Sequence, residues 1–170
     1  MRLYFNIVIY FLGGSNLNRN RNIWAGVFFG IGFVAFIDET VFHQLLHWHH
    51  FYDQSTTDIG LISDGLFHAF SWFATVMGLF MFADLRRKGQ FSIKRWWGGS
   101  LIGSGSFQLY DGTIQHKLMK IHQIRYVDSV IVYDVVWNAI ALILLILGIF
   151  LVYHSKEQEK LNRGKMTHDQ

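Results

Sequence analysis

The sequence predicts an all-α, polytopic membrane protein whose four transmembrane helices form two parallel two-helix repeats in a four-helix bundle. Three observations predict this: long apolar blocks, segregated basic residues and an internal repeat. Hydrophobic residues make up 51% of the 170 positions and charged ones only 16%, against about 25% charged in a soluble domain. The blocks 23–48, 59–83, 97–121 and 129–153 are each long enough to cross ~30 Å of hydrocarbon at ~1.5 Å per residue. In the fourth, Asn138 is the single strongly polar side chain between Val135 and Tyr153. The other three carry Asp, Glu, Gln and His, which weakens them as hydropathy signals and strengthens them as functional ones. The chain divides into an arm (1–22), a first repeat (23–84), a basic loop (85–96), a second repeat (97–153) and a tail (154–170).

Of the 15 Lys and Arg residues, all but Lys117, Lys120 and Arg125 fall into three groups. Arg2, Arg19 and Arg21 lie in the arm, Arg86, Arg87, Lys88, Lys94 and Arg95 in the middle loop, and Lys156, Lys160, Arg163 and Lys165 in the tail. The positive-inside rule then puts both termini and the middle loop in the cytoplasm. The same grouping answers the sequence pI near 9.2: the bases serve topology, and no nucleic-acid partner is expected. The expected partner is the lipid bilayer of a bacterial cell membrane, and a membrane-protein partner or a homo-oligomer is compatible with it. Leu3–Leu12 is apolar but too short to span, and no small-residue cleavage site follows it, so an interfacial helix or unordered leader is expected there. Cysteine is absent, which excludes disulfides and thiolate metal sites; proline is absent too, so bends must come from glycine or polar insertions.

A shift of 73 residues lays Gly30, Gly32, Asp38, Thr40, His43, Leu45 and His49 on Gly103, Gly105, Asp111, Thr113, His116, Leu118 and His122. A shift of 70 lays Asp58, Asp64, Phe67, His68 and Ala69 on Asp128, Asp134, Trp137, Asn138 and Ala139. Two units of two spans share one orientation, related by a pseudo-two-fold axis along the membrane normal. Counted inward from the outer face, His43, His116, Asp64 and Asp134 lie ~8 Å deep, and Asp38, Asp111, His68 and Asn138 ~15 Å deep. His47, His49, His50 and His122 form an outer mouth, where His49 and His50 are expected to be interfacial. Glu39, His43, His47 and His50 share one face of an α-helix. Asp38 and His43, five apart, diverge by ~140° in an α-helix, so either one faces a neighbour or the helix is distorted.

Ionisable residues inside a membrane mark function. Imidazoles one turn apart beside carboxylates suit a first-row metal: copper, iron or zinc. His43 and His116 are the expected core, with His68, Asp64, Asp134, Asp38, Asp111, Glu39 and His47 around them. The segment His43–His50 is similar to the histidine boxes of membrane di-iron hydroxylases and desaturases, but those enzymes need more boxes than this chain has. The glycines Gly30, Gly32, Gly103 and Gly105 read as close helix packing, since a phosphate loop needs a strand–helix context.

At Gly30–Tyr52, Ser63–Gly78 and Leu109–Arg125 the sequence resembles a family of predicted bacterial membrane proteins, domain of unknown function 2243, over roughly 25–153. The family pattern has Asp-Gly where this chain has Asp38-Glu39, and often a second His at Gln123. The resemblance implies a small multi-pass protein with Asp38, His43, His49, His50, Asp64, His68, Asp111, His116 and His122 at the family's polar positions. It implies no activity. The residues support a metal-binding protein, copper or iron first, with metal handling for a respiratory oxidase as one such role. The rivals are a redox protein with bis-His haem (His43 with His116) or a di-metal centre, a proton-coupled transporter, and a purely structural polar clasp. Whether the protein catalyses a reaction stays open.

Overall fold

A computed structural model describes residues 15–168, and side chains within 20–157. Among these residues there are four helices and no strand: α1 (Ser15–Asp38), α2 (Thr57–Arg87), α3 (Ile93–Tyr110) and α4 (Val130–His168). Two further segments continue α1 and α3 without a break as π-helices, Glu39–Leu45 and Asp111–Met119. Three stretches are long and apolar enough to cross a membrane: Asn20–Leu45, Thr57–Arg87 and Val130–Glu157. The stretch from Ile93 to Met119 does not qualify by length and composition, because its apolar part is short and glycine-rich and its end is polar. The expected leader Leu3–Leu12 lies outside the described residues.

Helix boundaries differ from the hydropathy blocks in an informative way. The first block runs to 48, but helix ends at Leu45, and the chain then crosses to α2 without regular structure. The basic loop shrinks to a tight turn after Arg87, where Gly89 takes φ +64, a conformation cheap only for glycine. Arg21 and Asn22, expected in the arm, belong to α1 and fasten that turn. The guanidinium of Arg21 reaches Asp84 at 2.8 Å, while the Asn22 amide donates to Gln90 O at 2.9 Å and accepts from Ser92 N at 2.7 Å. Beside it, Ala25, Leu85 and Trp96 form a small buried core with Phe29 and Phe82.

The helices contact in the order α2, α1, α3, α4, so α1 and α3 hold the middle and the other two flank them. This is a row of pairwise contacts rather than four equivalent helices about one axis. Glycines set the separations. A Cβ on Gly30 would stand 2.0 Å from Ser100 O, and one on Gly103 would stand 2.3 Å from Val27 O. Val27 and Ser100 are themselves 73 apart. Likewise Gly32 abuts Ser71 and Thr75 of α2, and Gly105 abuts Ala141 and Leu145 of α4. Small residues four apart (Gly26 with Gly30, Gly99 with Gly103) let backbones touch, which favours association inside lipid.

The outer surfaces of α2 and α4 are mostly apolar, with Leu66, Phe73, Phe80, Ile131, Ile146 and Phe150 each at least 60% exposed. No soluble surface presents so continuous an apolar coat. These helices would sit in a lipid bilayer. Their inward faces are narrow: in α2 the buried positions are Gly60, Asp64, Phe67, Ser71, Gly78 and Leu85, spaced by fours, threes and sevens.

Candidate metal centre

The two π segments resolve the phase conflict between Asp38 and His43. A π-helix closes on i→i+5 hydrogen bonds, so residues five apart return to one face. Both Asp38 and Glu39 therefore reach His43: Nε2 lies 3.9 Å from Asp38 Oδ2, and Nδ1 lies 2.9 Å from Glu39 Oε2. In the second segment His116 Nε2 lies 3.1 Å from Asp111 Oδ2. From the adjacent helices, Asp64 Oδ1 comes within 3.1 Å of His43 Nδ1, and Asp134 Oδ1 within 4.0 Å of His116 Nδ1. The structure thus brings together both expected His–Asp pairs.

The mouth histidines require a correction. His49 and His122 were expected as open mouth groups, His49 at the interface; they are instead buried, 6% and 1% exposed, and lie between His43 and His116. Their rings stack at 4.6 Å with 7° between planes, His49 meets His43 at 4.5 Å, and His122 meets His116 at 4.7 Å. The cause is the behaviour of the chain after each π segment. It turns at His47 (φ +49) and Lys120 (φ +52), also 73 apart, and folds back over the helix ends. The two returning segments then bind each other, with Asp53 N donating to Ile121 O at 3.0 Å.

Each returning histidine is fixed by the other segment. His49 Nδ1 donates to Ile124 O at 3.0 Å, and His122 Nδ1 donates to Phe51 O at 2.8 Å. A carbonyl only accepts, so both rings carry their proton on Nδ1 and leave the Nε2 lone pair free. Burial, reinforced by His122, His43 and His116, pushes His49 down to about 2 and keeps it neutral. His43 faces carboxylates through Nδ1 in the same way. The result is four buried Nε2 atoms, on His43, His49, His116 and His122, with no hydrogen-bond partner. A buried polar atom left without a partner is costly, and four such imidazole nitrogens in neighbouring rings could hold a metal ion.

The donors fall into two sets, Asp38–His43–His49 and Asp111–His116–His122, each fully buried with its ligand atoms within 4.8 Å of one another. A third set is Glu39–His43–Asp64. Two histidines and one carboxylate suit iron(II) with open positions, and imidazole also suits copper and zinc. Asp64 is hydrogen-bonded to His43 Nδ1 at 3.1 Å, where a carboxylate sets ring tautomer and direction, whereas Asp134, 4.0 Å from His116 Nδ1, leaves that nitrogen unpartnered. A haem does not fit, because the macrocycle would need an open plane between His43 and His116, and His49 and His122 fill it. The family of predicted membrane proteins DUF2243 matches residues 25–155. The chain belongs to that family. Comparison with curated proteins and with solved structures gives no match.

Three further histidines of this DUF2243 protein stand apart from the two sets. His68 was expected as a third group; it lies exposed against Phe36, ring centroids 5.5 Å apart. It follows Phe67, an inward residue of α2, and one step of ~100° turns it away from the centre. His47 was expected on the face of Glu39 and His43, but helix ends before it and its side chain is exposed. His50 is half-buried, its Nδ1 2.6 Å from Asp64 Oδ2. Gln115, missed in the sequence, is buried beside His116 with Oε1 unpartnered. The repeat contained the missing signal: His43 and His49 recur as His116 and His122, whereas His47, His50 and His68 meet Lys120, Gln123 and Asn138.

Proposed function

We propose that this protein holds transition-metal ions at a centre built from Asp38, His43 and His49 in one half and Asp111, His116 and His122 in the other. Iron is the first choice, from the two-histidine, one-carboxylate donor sets, and copper the second. Four buried, unpartnered imidazole Nε2 atoms carry this reading. The carboxylates support it: among the described residues, no Lys or Arg pairs with Asp38, Glu39, Asp64 or Asp111. Uncompensated buried carboxylates are expensive, and a bound cation removes that cost.

The chain spans a bacterial cell membrane four times as two parallel repeats, α3 and its π segment forming the third span. Both termini and the Arg86–Arg95 turn face the cytoplasm, and the centre lies towards the outer face. Metal analysis of detergent-purified protein tests the reading. His43→Ala, His116→Ala, His49→Ala and His122→Ala are each expected to lose bound iron or copper, while His68→Ala retains it. Removing one member of a buried polar pair costs about 3–5 kcal/mol, so helix content is measured alongside. Full metal occupancy in both His43→Ala and His116→Ala would leave a hydrogen-bonded polar clasp as the better account.

A further inference from the structure

We propose that Glu39, Asp64 and the Nδ1 side of His43 form a separate intake site for a divalent cation, present in the first half only. It rests on the reading of the centre as a metal site and adds the route by which an ion reaches it. Glu39 Oε2 and Asp64 Oδ1 lie 2.9 and 3.1 Å from the same nitrogen, with both carboxylate side chains 1% exposed. One ring N–H cannot neutralise two buried carboxylates. Glu39 Oε2 has no hydrogen-bond partner, so a buried acid oxygen stands 2.9 Å from His43 Nδ1 without satisfying it.

The second half supplies the independent observation. At a shift of 73, Glu39 becomes Gly112 and Gln44 becomes Lys117, whose ammonium binds Asp134. That half has one acid there and a cation of its own. The first half has two acids and, in place of the lysine, a neutral amide: Gln44 Nε2 donates to Glu39 Oε1 at 2.7 Å. Where Lys117 binds Asp134 Oδ2 in one half, His50 Nδ1 binds Asp64 Oδ2 in the other, and the additional acid, Glu39, is met by no Lys or Arg among the described residues. Access exists on the same side, since Gln44 is exposed and the His50 side chain, bound to Asp64 Oδ2, is 26% exposed.

His43 connects the two places. An ion on Nδ1 requires the tautomer protonated at Nε2, and an ion on Nε2 requires the proton on Nδ1, where Asp64 accepts it. The shared imidazole therefore serves the intake site or the inner set, not both at once, which ties occupancy of one to release from the other.

Co(II) binding by metal-free, full-length protein in detergent tests this, since cobalt absorption reports nitrogen and oxygen donors. The double variant His49→Ala/His122→Ala, which lacks the inner sets, is expected to keep one equivalent of Co(II). Adding Glu39→Gln, or independently Gln44→Lys at an exposed position, is expected to remove it. Absence of Co(II) from the double variant with helix content intact, or retention of its Co(II) after both added changes, overturns the intake site. If wild type binds no more Co(II) than the double variant, the central reading fails, while a Glu39-dependent ion still supports the intake site.

Discussion

The two halves of the molecule turn the same three donors inward and back them differently. Asp38, His43 and His49 match Asp111, His116 and His122 in sequence spacing, in π geometry and in the crossed bonds to Ile124 O and Phe51 O. Behind them, Glu39, Gln44 and His50 stand where the second half has Gly112, Lys117 and Gln123. What is shared is the buried His–Asp cluster itself. What differs concerns charge and access: the first half has more acid and no ammonium beside it, which is what the proposed intake site rests on.

The comparison breaks outright if the halves do not share an orientation. Single cysteines at Asp53 and Asp128 are expected to be labelled by an impermeant thiol reagent in intact cells, and one at Lys88 to stay unlabelled. Three spans would instead leave Asp128 protected and end the parallel reading. A second, smaller effect sharpens the equivalence of the central helices. Gly30→Val and Gly103→Val force a side chain into backbone 2.0 and 2.3 Å away, and overpacking costs about 1–3 kcal/mol. Both are expected to lower the midpoint of thermal unfolding by similar amounts; a loss at one glycine only would show that the interface is not symmetric. The smallest effect concerns the backing residues. Lys117→Gln leaves Asp134 without its cation, and because Lys117 is 45% exposed, solvent screening holds the cost to about 1 kcal/mol or less. That loss is expected in metal-free protein and is expected to be reversed by added Co(II), as the second half becomes more like the first. A variant indifferent to Co(II) would separate the halves further than the intake site requires.

Much of this was legible in the residues. Gly30 and Gly32, with their counterparts, announced close packing, and His43 with Asp64 announced a contact across antiparallel helices at one depth. The π segments were not legible, because Asp38 and His43 read in α-helical phase diverge, and hydropathy carries no information about an i→i+5 turn. The burial of His49 and His122 was hidden for another reason. Histidines beside a loop are ordinarily wet, and only tertiary contact between two returning segments draws them in. His68 misled in the opposite direction: depth counted from sequence says nothing of phase, and one residue beyond Phe67 is enough to turn a side chain to the outer surface.

The crossed hydrogen bonds have a mechanical consequence. Each returning segment carries the carbonyl that orients the other segment's histidine, so neither can lift without releasing a donor from the opposite set. The pair behaves as an interlock: the centre opens as one unit or stays shut. Ions held in the two sets would be gained and lost cooperatively, even where their distances to each ligand differ.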